Sequence, residues 1–205
     1  MKLFYFPGAC SLAPHIVARE AQIPIELVRV DLARHTTETN EDFLKVNPKG
    51  YVPVLEIDGE RYTEVAALVQ YLAEQAPPST LLPAAGTNAR FKVNQWLAFI
   101  SSELHKTLSP WLFREDAADS TKHAVRATVA KRFAELDQLF TDRSYLTGEH
   151  FTVADAYAFT VLSWSNFLKI DLMPYPNVRR FIDRVSARPK VREALAAEGL
   201  ISKAA

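Results

Sequence analysis

The chain has 205 residues, 48% of them hydrophobic and 23% charged, a balance expected of a folded globular protein long enough to bury a sizeable core. Its 24 basic and 24 acidic side chains cancel, which argues against nucleic acid as the main partner, because phosphate binding normally leaves a basic excess. The single cysteine, Cys10, cannot close an internal disulfide, and five histidines beside it show no metal-ligand spacing, so no metal is expected.

The elements follow in chain order. KLFYF (2–6) is short, aromatic and apolar and predicts a buried strand. A Pro7-Gly8 turn leads to a helix opened by Ser11, with Leu12, Ile16, Val17 and Ala21 at helical spacing. Pro14 is tolerated there because a first-turn N–H has no helical partner to lose. The stretch after Lys2 faintly resembles a short leader, but Pro7 and Gly8 interrupt it, and His15, Arg19 and Glu20 continue it as an amphipathic helix. No apolar run approaches the ~20 residues needed to span a bilayer, and a cytoplasmic location is expected.

Ile23-Pro24 ends that helix, and IELVRVD (25–31) predicts a second strand. TNEDFLKVN (39–47) predicts a short helix capped by Thr39 or Asn40. Asp58-Gly59, between two strand-like runs, is a two-residue hairpin signal, since glycine takes positive φ readily. The helix EVAALVQYLAEQ (64–75) follows. The order β-α-β-α-β-β-α predicts a mixed sheet with helices on its faces.

APPSTLLPAAG (76–86) is a Pro-rich break, and everything after it reads as helix. One long helix is expected from Thr87 to about Thr107, disturbed by Ser109-Pro110, with further helices near 120–140, 152–168, 177–187 and 189–198. FTVAD (151–155) offers Thr152 as N-cap, Asp155 as the reciprocal cap and Phe151 as a hydrophobic staple. Asp155 is therefore assigned to capping, not catalysis.

Few residues carry chemistry on their own pattern. Cys10 lies at a helix N-terminus, where unpaired N–H groups and the helix dipole favour an anion, its own thiolate or a ligand's. The competing reading is a buried thiol. Glu64 heads a helix and complements its dipole. Ser102, His105 and Lys106 stand at i, i+3 and i+4 on one helix face, an arrangement that is ordinarily solvated surface.

Five blocks, KLFYFPGACSLAPHI, VNPKGYVPVLEIDG, YTEVAALVQYLAE, SSELHK and FTVADAYAFTVLSW, in this order and spacing, resemble the cytosolic glutathione transferases, and in detail the bacterial beta class. The resemblance runs from Met1 to about Leu200. It implies an α/β plus all-α fold. A thioredoxin-like N-terminal domain (1–76) would bind reduced glutathione, and a linker (77–86) would lead to an all-helical C-terminal domain (87–205) lining the site of an apolar electrophile.

The resemblance also implies roles. The cysteine matching Cys10 lies beside the glutathione sulfur and can form a mixed disulfide with it, while Tyr5 or Ser11 could instead hold the thiolate by a hydroxyl. Val52-Pro53 is cis in thioredoxin-like domains and presents the Val52 backbone to the cysteinyl backbone of glutathione. Glu64 takes the γ-glutamyl amino group, and N–H groups around Val65 take its carboxylate. His105 and Lys106 border the thiol, Ser102 reaches the peptide, His35 lies near the glycine carboxylate, and Trp164 lines the electrophile pocket. Three positions depart from the pattern: Val65 where many relatives carry Ser, Ala98 where they often carry Asn, and His35 where they often carry Lys. Weakened glutathione binding is expected from them. Glutathione is then a co-substrate with no permanently bound cofactor, the role is detoxifying, and the assembly is a homodimer without membrane contact. The rival readings are a glutathione-dependent thiol–disulfide or peroxide reductase using Cys10, and a weakly catalytic binding protein on the same fold.

Overall fold

The computed structural model describes residues 1–77 and 80–202. Pro78 and Ser79 of the expected linker, and the last three residues of the expected helical domain, lie outside the described residues.

Strands β1 (Lys2–Tyr5), β2 (Glu26–Asp31), β3 (Thr36–Thr37), β4 (Val54–Ile57) and β5 (Glu60–Tyr62) form one mixed sheet in the order β3-β2-β1-β4-β5. β1 pairs parallel with β2, Leu3 opposite Leu27, and antiparallel with β4, Leu3 opposite Leu55. A parallel pair needs a crossover, and α1 (Leu12–Glu20) supplies it. Alternation along β1 divides its side chains between two faces. Leu3 and Tyr5 join the main core with α1 and α3 (Val65–Glu74), whereas Phe4 packs with Val30, Phe43, Val52 and Val54 on the other side. Asp58 and Gly59 both take positive φ, +50° and +86°, so the predicted hairpin turn is present.

The short helix differs from expectation. α2 spans only Phe43–Val46, and its cap is Asp42, whose carboxylate accepts from Leu44 N at 3.0 Å, not Thr39 or Asn40. The Thr37 hydroxyl bonds that of Thr39 and accepts from Glu41 N, and Asn40 takes φ +63°. Those residues therefore build the turn after β3, a two-residue strand the sequence reading did not include.

The long helix also differs. α4 (Asn88–Phe99), capped by Thr87 Oγ1 accepting from Arg90 N, continues as a π-helical segment, Ile100–His105, and ends in α5 (Lys106–Leu108). Helices α6 (Asp119–Leu139), α7 (Val153–Leu168), α8 (Pro176–Ser186) and α9 (Pro189–Ala197) fall within a residue or two of their predicted spans. α7 is buried along most of its length, and α1 packs against α3, α7 and α9. One apolar core thus runs from Leu3 in the sheet to Leu195 in α9.

The start of α7 is fixed as expected. Asp155 is fully buried and accepts from Leu146 N, Thr152 N and the Thr152 hydroxyl, each at 2.8 Å. Burial nevertheless pushes its carboxyl up to about 6, against those three donors. No helix among the described residues is long and apolar enough to cross a membrane.

Candidate active site

A cavity of about 740 Å³ opens where the loop after β1, the head of α3 and the π segment converge. Cys10, Val52, Pro53, Glu64, Val65, His105, Lys106 and Trp164 line it. Tyr5, Ser11, His35 and Ser102 do not.

Each displaced residue has a local cause. Tyr5 shares the inward face of β1 with Leu3, is 8% exposed and lies tilted against His15. Ser11 is fully buried, and its hydroxyl accepts from Phe6 N and donates to Phe6 O, both at 3.2 Å, so it closes its own turn. His35 sits beside Gly50, where any Cβ would lie 2.7 Å from its ring, and its buried Nδ1 has no hydrogen-bond partner. Ser102 is exposed on the outer side of the π segment and donates to Ala98 O at 2.9 Å. Its neighbour Ser101 faces the cavity instead.

Cys10 meets the cavity as a donor. Its thiol is 3.2 Å from Val52 O, across the cis Val52-Pro53 peptide. Burial pushes the thiol up to about 12, outweighing Lys106 and the N–H groups of Cys10 and Ser11, which pull it down. The expected gain in thiolate at the helix N-terminus is therefore overturned. Desolvation wins, and Cys10 is a neutral thiol near pH 7.

His105 is likewise uncharged. It is 8% exposed, and burial together with neighbouring Lys106 lowers its pKa to about 4. Of the pair bordering the expected thiol position, Lys106 is therefore the one that carries charge. His105 Nδ1 lies 2.6 Å from the Tyr157 hydroxyl, and its ring meets Trp164 edge-on with centroids 5.1 Å apart. Phe113 meets Trp164 the same way at 5.4 Å, which extends an aromatic wall towards the exposed Phe167.

At the opposite wall Glu64 heads α3 with φ +71° and ψ 106°, an uncommon conformation for a side-chain-bearing residue. It forms an exposed ion pair with Lys49 at 3.8 Å. Val65, the first residue of α3, is 5% exposed and contributes apolar surface beside its backbone N–H.

The loop after β1 is tied to the far end of the chain. Gly8 N donates to Glu198 Oε2 at 2.9 Å, and Gly8 O accepts from Trp164 Nε1 at 2.8 Å. Glu198 Oε1 lies 2.9 Å from His15 Nδ1, with both side chains fully buried. Arg19 Nε donates to His15 Nε2 at 3.3 Å, so the His15 proton resides on Nδ1 and points at Glu198. Among the described residues no group of three or more His, Cys, Asp or Glu is placed to hold a metal ion.

Comparison with known proteins agrees with this geometry. Residues 8–75 match the model of the glutathione S-transferase N-terminal domain, and residues 99–189 that of the C-terminal domain. Glutathione S-transferase GstA of Escherichia coli O157:H7 is 44% identical over 201 residues, covering 98% of this chain and all of that protein. The chain belongs to the glutathione S-transferase family. Among solved structures, a ternary complex of the bacterial transferase BphK superposes with TM-score 0.94 at 49% identity, covering 97% of this chain and 100% of that one. A bacterial beta class transferase from Sphingomonas chungbukensis gives 0.93 at 44% identity over 98% of this chain and 100% of its own, in line with the class its motifs resemble.

For this glutathione S-transferase the sequence reading passed over Tyr157, Ser101, Lys49 and Phe113, all of which line the cavity. Tyr157 had a usable signal: it lies two helical turns before Trp164, at i−7, on the same face of α7. Lys49 and Phe113 stand in loops and had none.

Proposed function

We propose that this chain conjugates reduced glutathione to apolar, aromatic electrophiles, acting as a homodimer in the cytoplasm. The observation that carries the reading is the two-sided make-up of the cavity: the Val52 backbone, Lys49, Glu64 and the head of α3 on one side, and Phe113, Trp164 and Phe167 on the other. The γ-glutamyl end of glutathione is zwitterionic and needs one anion and several donors. Glu64 and the first-turn N–H groups of α3 offer both. The Val52 backbone suits the cysteinyl unit as an added strand. The sulfur would then lie beside Cys10 in the field of Lys106, and a nearby cation favours the thiolate, which is the nucleophile. Holding an apolar electrophile against the aromatic wall supplies proximity.

In this reading Cys10 stays a neutral thiol bonded to Val52 O, and glutathione itself is the nucleophile. The raised Cys10 pKa argues against the covalent thiol–disulfide rival, because thiol attacks far less readily than thiolate. Val65 keeps a backbone donor but no hydroxyl, so the binding-only rival retains some support. Retention on immobilised glutathione followed by a conjugation assay with an aryl halide separates the readings. Retention with turnover is expected. Retention without turnover would favour a binding protein, and no retention would mean that glutathione does not occupy this cavity.

A further inference from the structure

A thiolate held in a cavity needs hydrogen-bond donors at its sulfur, and His105, which the resemblance sets beside the thiol, can be one only in the right tautomer. We infer that Tyr157 is a positioning residue that fixes His105 as its Nε2–H tautomer, so that the ring presents an N–H donor to the cavity beside Cys10. Tyr157 Oη lies 2.6 Å from His105 Nδ1, with the two rings edge to face at 5.8 Å and 89°. Trp164 meets the same imidazole at 5.1 Å and 73°, so the ring is held from two sides. Of the two groups the phenol O–H is the stronger donor and the imidazole nitrogen the stronger acceptor, so the phenol proton points at His105 Nδ1.

The tautomer follows from valence. A neutral imidazole has one donor and one acceptor nitrogen, so if Nδ1 accepts, Nε2 carries the proton. Burial and Lys106 keep His105 neutral at pH 7, while burial raises the Tyr157 pKa and keeps the phenol protonated. Nε2 makes no hydrogen bond among the described residues, and His105 lines the cavity. Lys106 is the charged group acting on His105, and Cys10 and Glu64 are the titratable groups that act on Tyr157. The donor role rests on the glutathione site proposed above only for the identity of the acceptor, the glutathione thiolate.

The test begins on the free protein, where ¹⁵N-histidine NMR reads the tautomer without any ligand. The expected result is an unprotonated Nδ1 and a protonated Nε2 on His105. Tyr157→Phe, which conserves shape, should turn that single tautomer into a mixture. It should also raise the pH at which bound glutathione ionises, read from thiolate absorbance, by about one unit. The value of kcat/KM at slightly acid pH should fall about tenfold and recover at high pH, with KM for glutathione changed by less than about twofold. A merely structural tyrosine would move stability and KM without moving the ionisation. A parent protein with the proton on Nδ1 would overturn the proposal, as would a Tyr157→Phe variant with unchanged tautomer and unchanged thiol ionisation. The absence of any glutathione-induced shift at Nε2 would overturn the donor role, whereas the ligand-free spectrum judges Tyr157 separately.

Discussion

Cys10 lies under opposing influences: burial raises its pKa, while the head of α1 and the Lys106 ammonium lower it. With the balance at about 12, alkylation by iodoacetamide should be slow at pH 7 and accelerate only in strongly alkaline solution. A rate profile turning over near ~8.5, the value for a free cysteine, would contradict this. Cys10→Ala should keep conjugating activity, with a loss of about tenfold or less, because the thiol is not the nucleophile and its one hydrogen bond is to Val52 O. Abolished turnover would restore the covalent reading. The residues legible from sequence were those whose placement is local. Cys10 and Glu64 stand beside the ends of helices visible in the pattern, and His105 and Lys106 follow the long helix. Tyr5 was not legible, because alternation says which residues share a face of β1 but not which face meets the cavity. The state of Cys10 was not legible either, since desolvation depends on residues far away in the chain.

At the scale of elements, the π segment explains why Ser101 rather than Ser102 shares the cavity with His105. An α-helix keeps both i+3 and i+4 near the face of residue i, whereas the wider turn, closed by i to i+5 hydrogen bonds, keeps i+4 there and rotates i+3 away. No propensity rule marks such a segment, so the reading of one regular helix failed there. Deleting Ser102 should let the segment relax to α-helix and rotate His105 and Lys106 away from the cavity. Helix content by circular dichroism should persist, while kcat/KM falls on the order of 100-fold, as misplacement by about 1 Å can cause. Retained activity would mean that the extra residue has no part in building the site. The head of α7 was legible, because a capping box is a short-range pattern. Asp155→Ala leaves two buried backbone N–H groups without partners and should cost about 2 to 4 kcal/mol in denaturant unfolding. The sign of its pH dependence follows from the raised pKa. Below the unfolded value of 3.8 the carboxyl is protonated in both states, and between there and about 6 only the unfolded state ionises. The contribution of Asp155 is therefore largest near pH 4 and declines towards pH 6. The gap between parent and Asp155→Ala should narrow over that window. His105, with its lowered pKa, loses stability as pH falls through the same range, but it is common to both proteins and cancels in the difference. A gap that widens from pH 4 to 6 would show that the three donors outweigh burial.

At the scale of the whole molecule, the apolar core is continuous from sheet to helices, yet large side chains remain outside it on α3 and α4. Phe91 is 70% exposed and shares a stripe of α4 with Gln95 and Phe99, at i, i+4 and i+8. Tyr71 on α3 is 37% exposed. Beside the stripe lies a shallow hollow of about 160 Å³, lined by Trp96, Phe99, Leu136 and Leu139. A two-fold axis would let Phe91 of each protomer fill the hollow of the other, since an isologous interface uses the same patch twice. Fully burying a phenylalanine gains roughly 1.5 to 3 kcal/mol, and symmetry doubles it. The homodimer should therefore persist at micromolar concentration in sedimentation, and Phe91→Glu should weaken it by at least about 100-fold. The substitution touches no core contact of the protomer, so the circular dichroism spectrum and cooperative unfolding should be preserved. That separates a lost interface from a lost fold. A parent chain that sediments as a monomer would remove the two-fold arrangement altogether. A Phe91→Glu variant still dimeric at nanomolar concentration would move the interface to another face of the molecule.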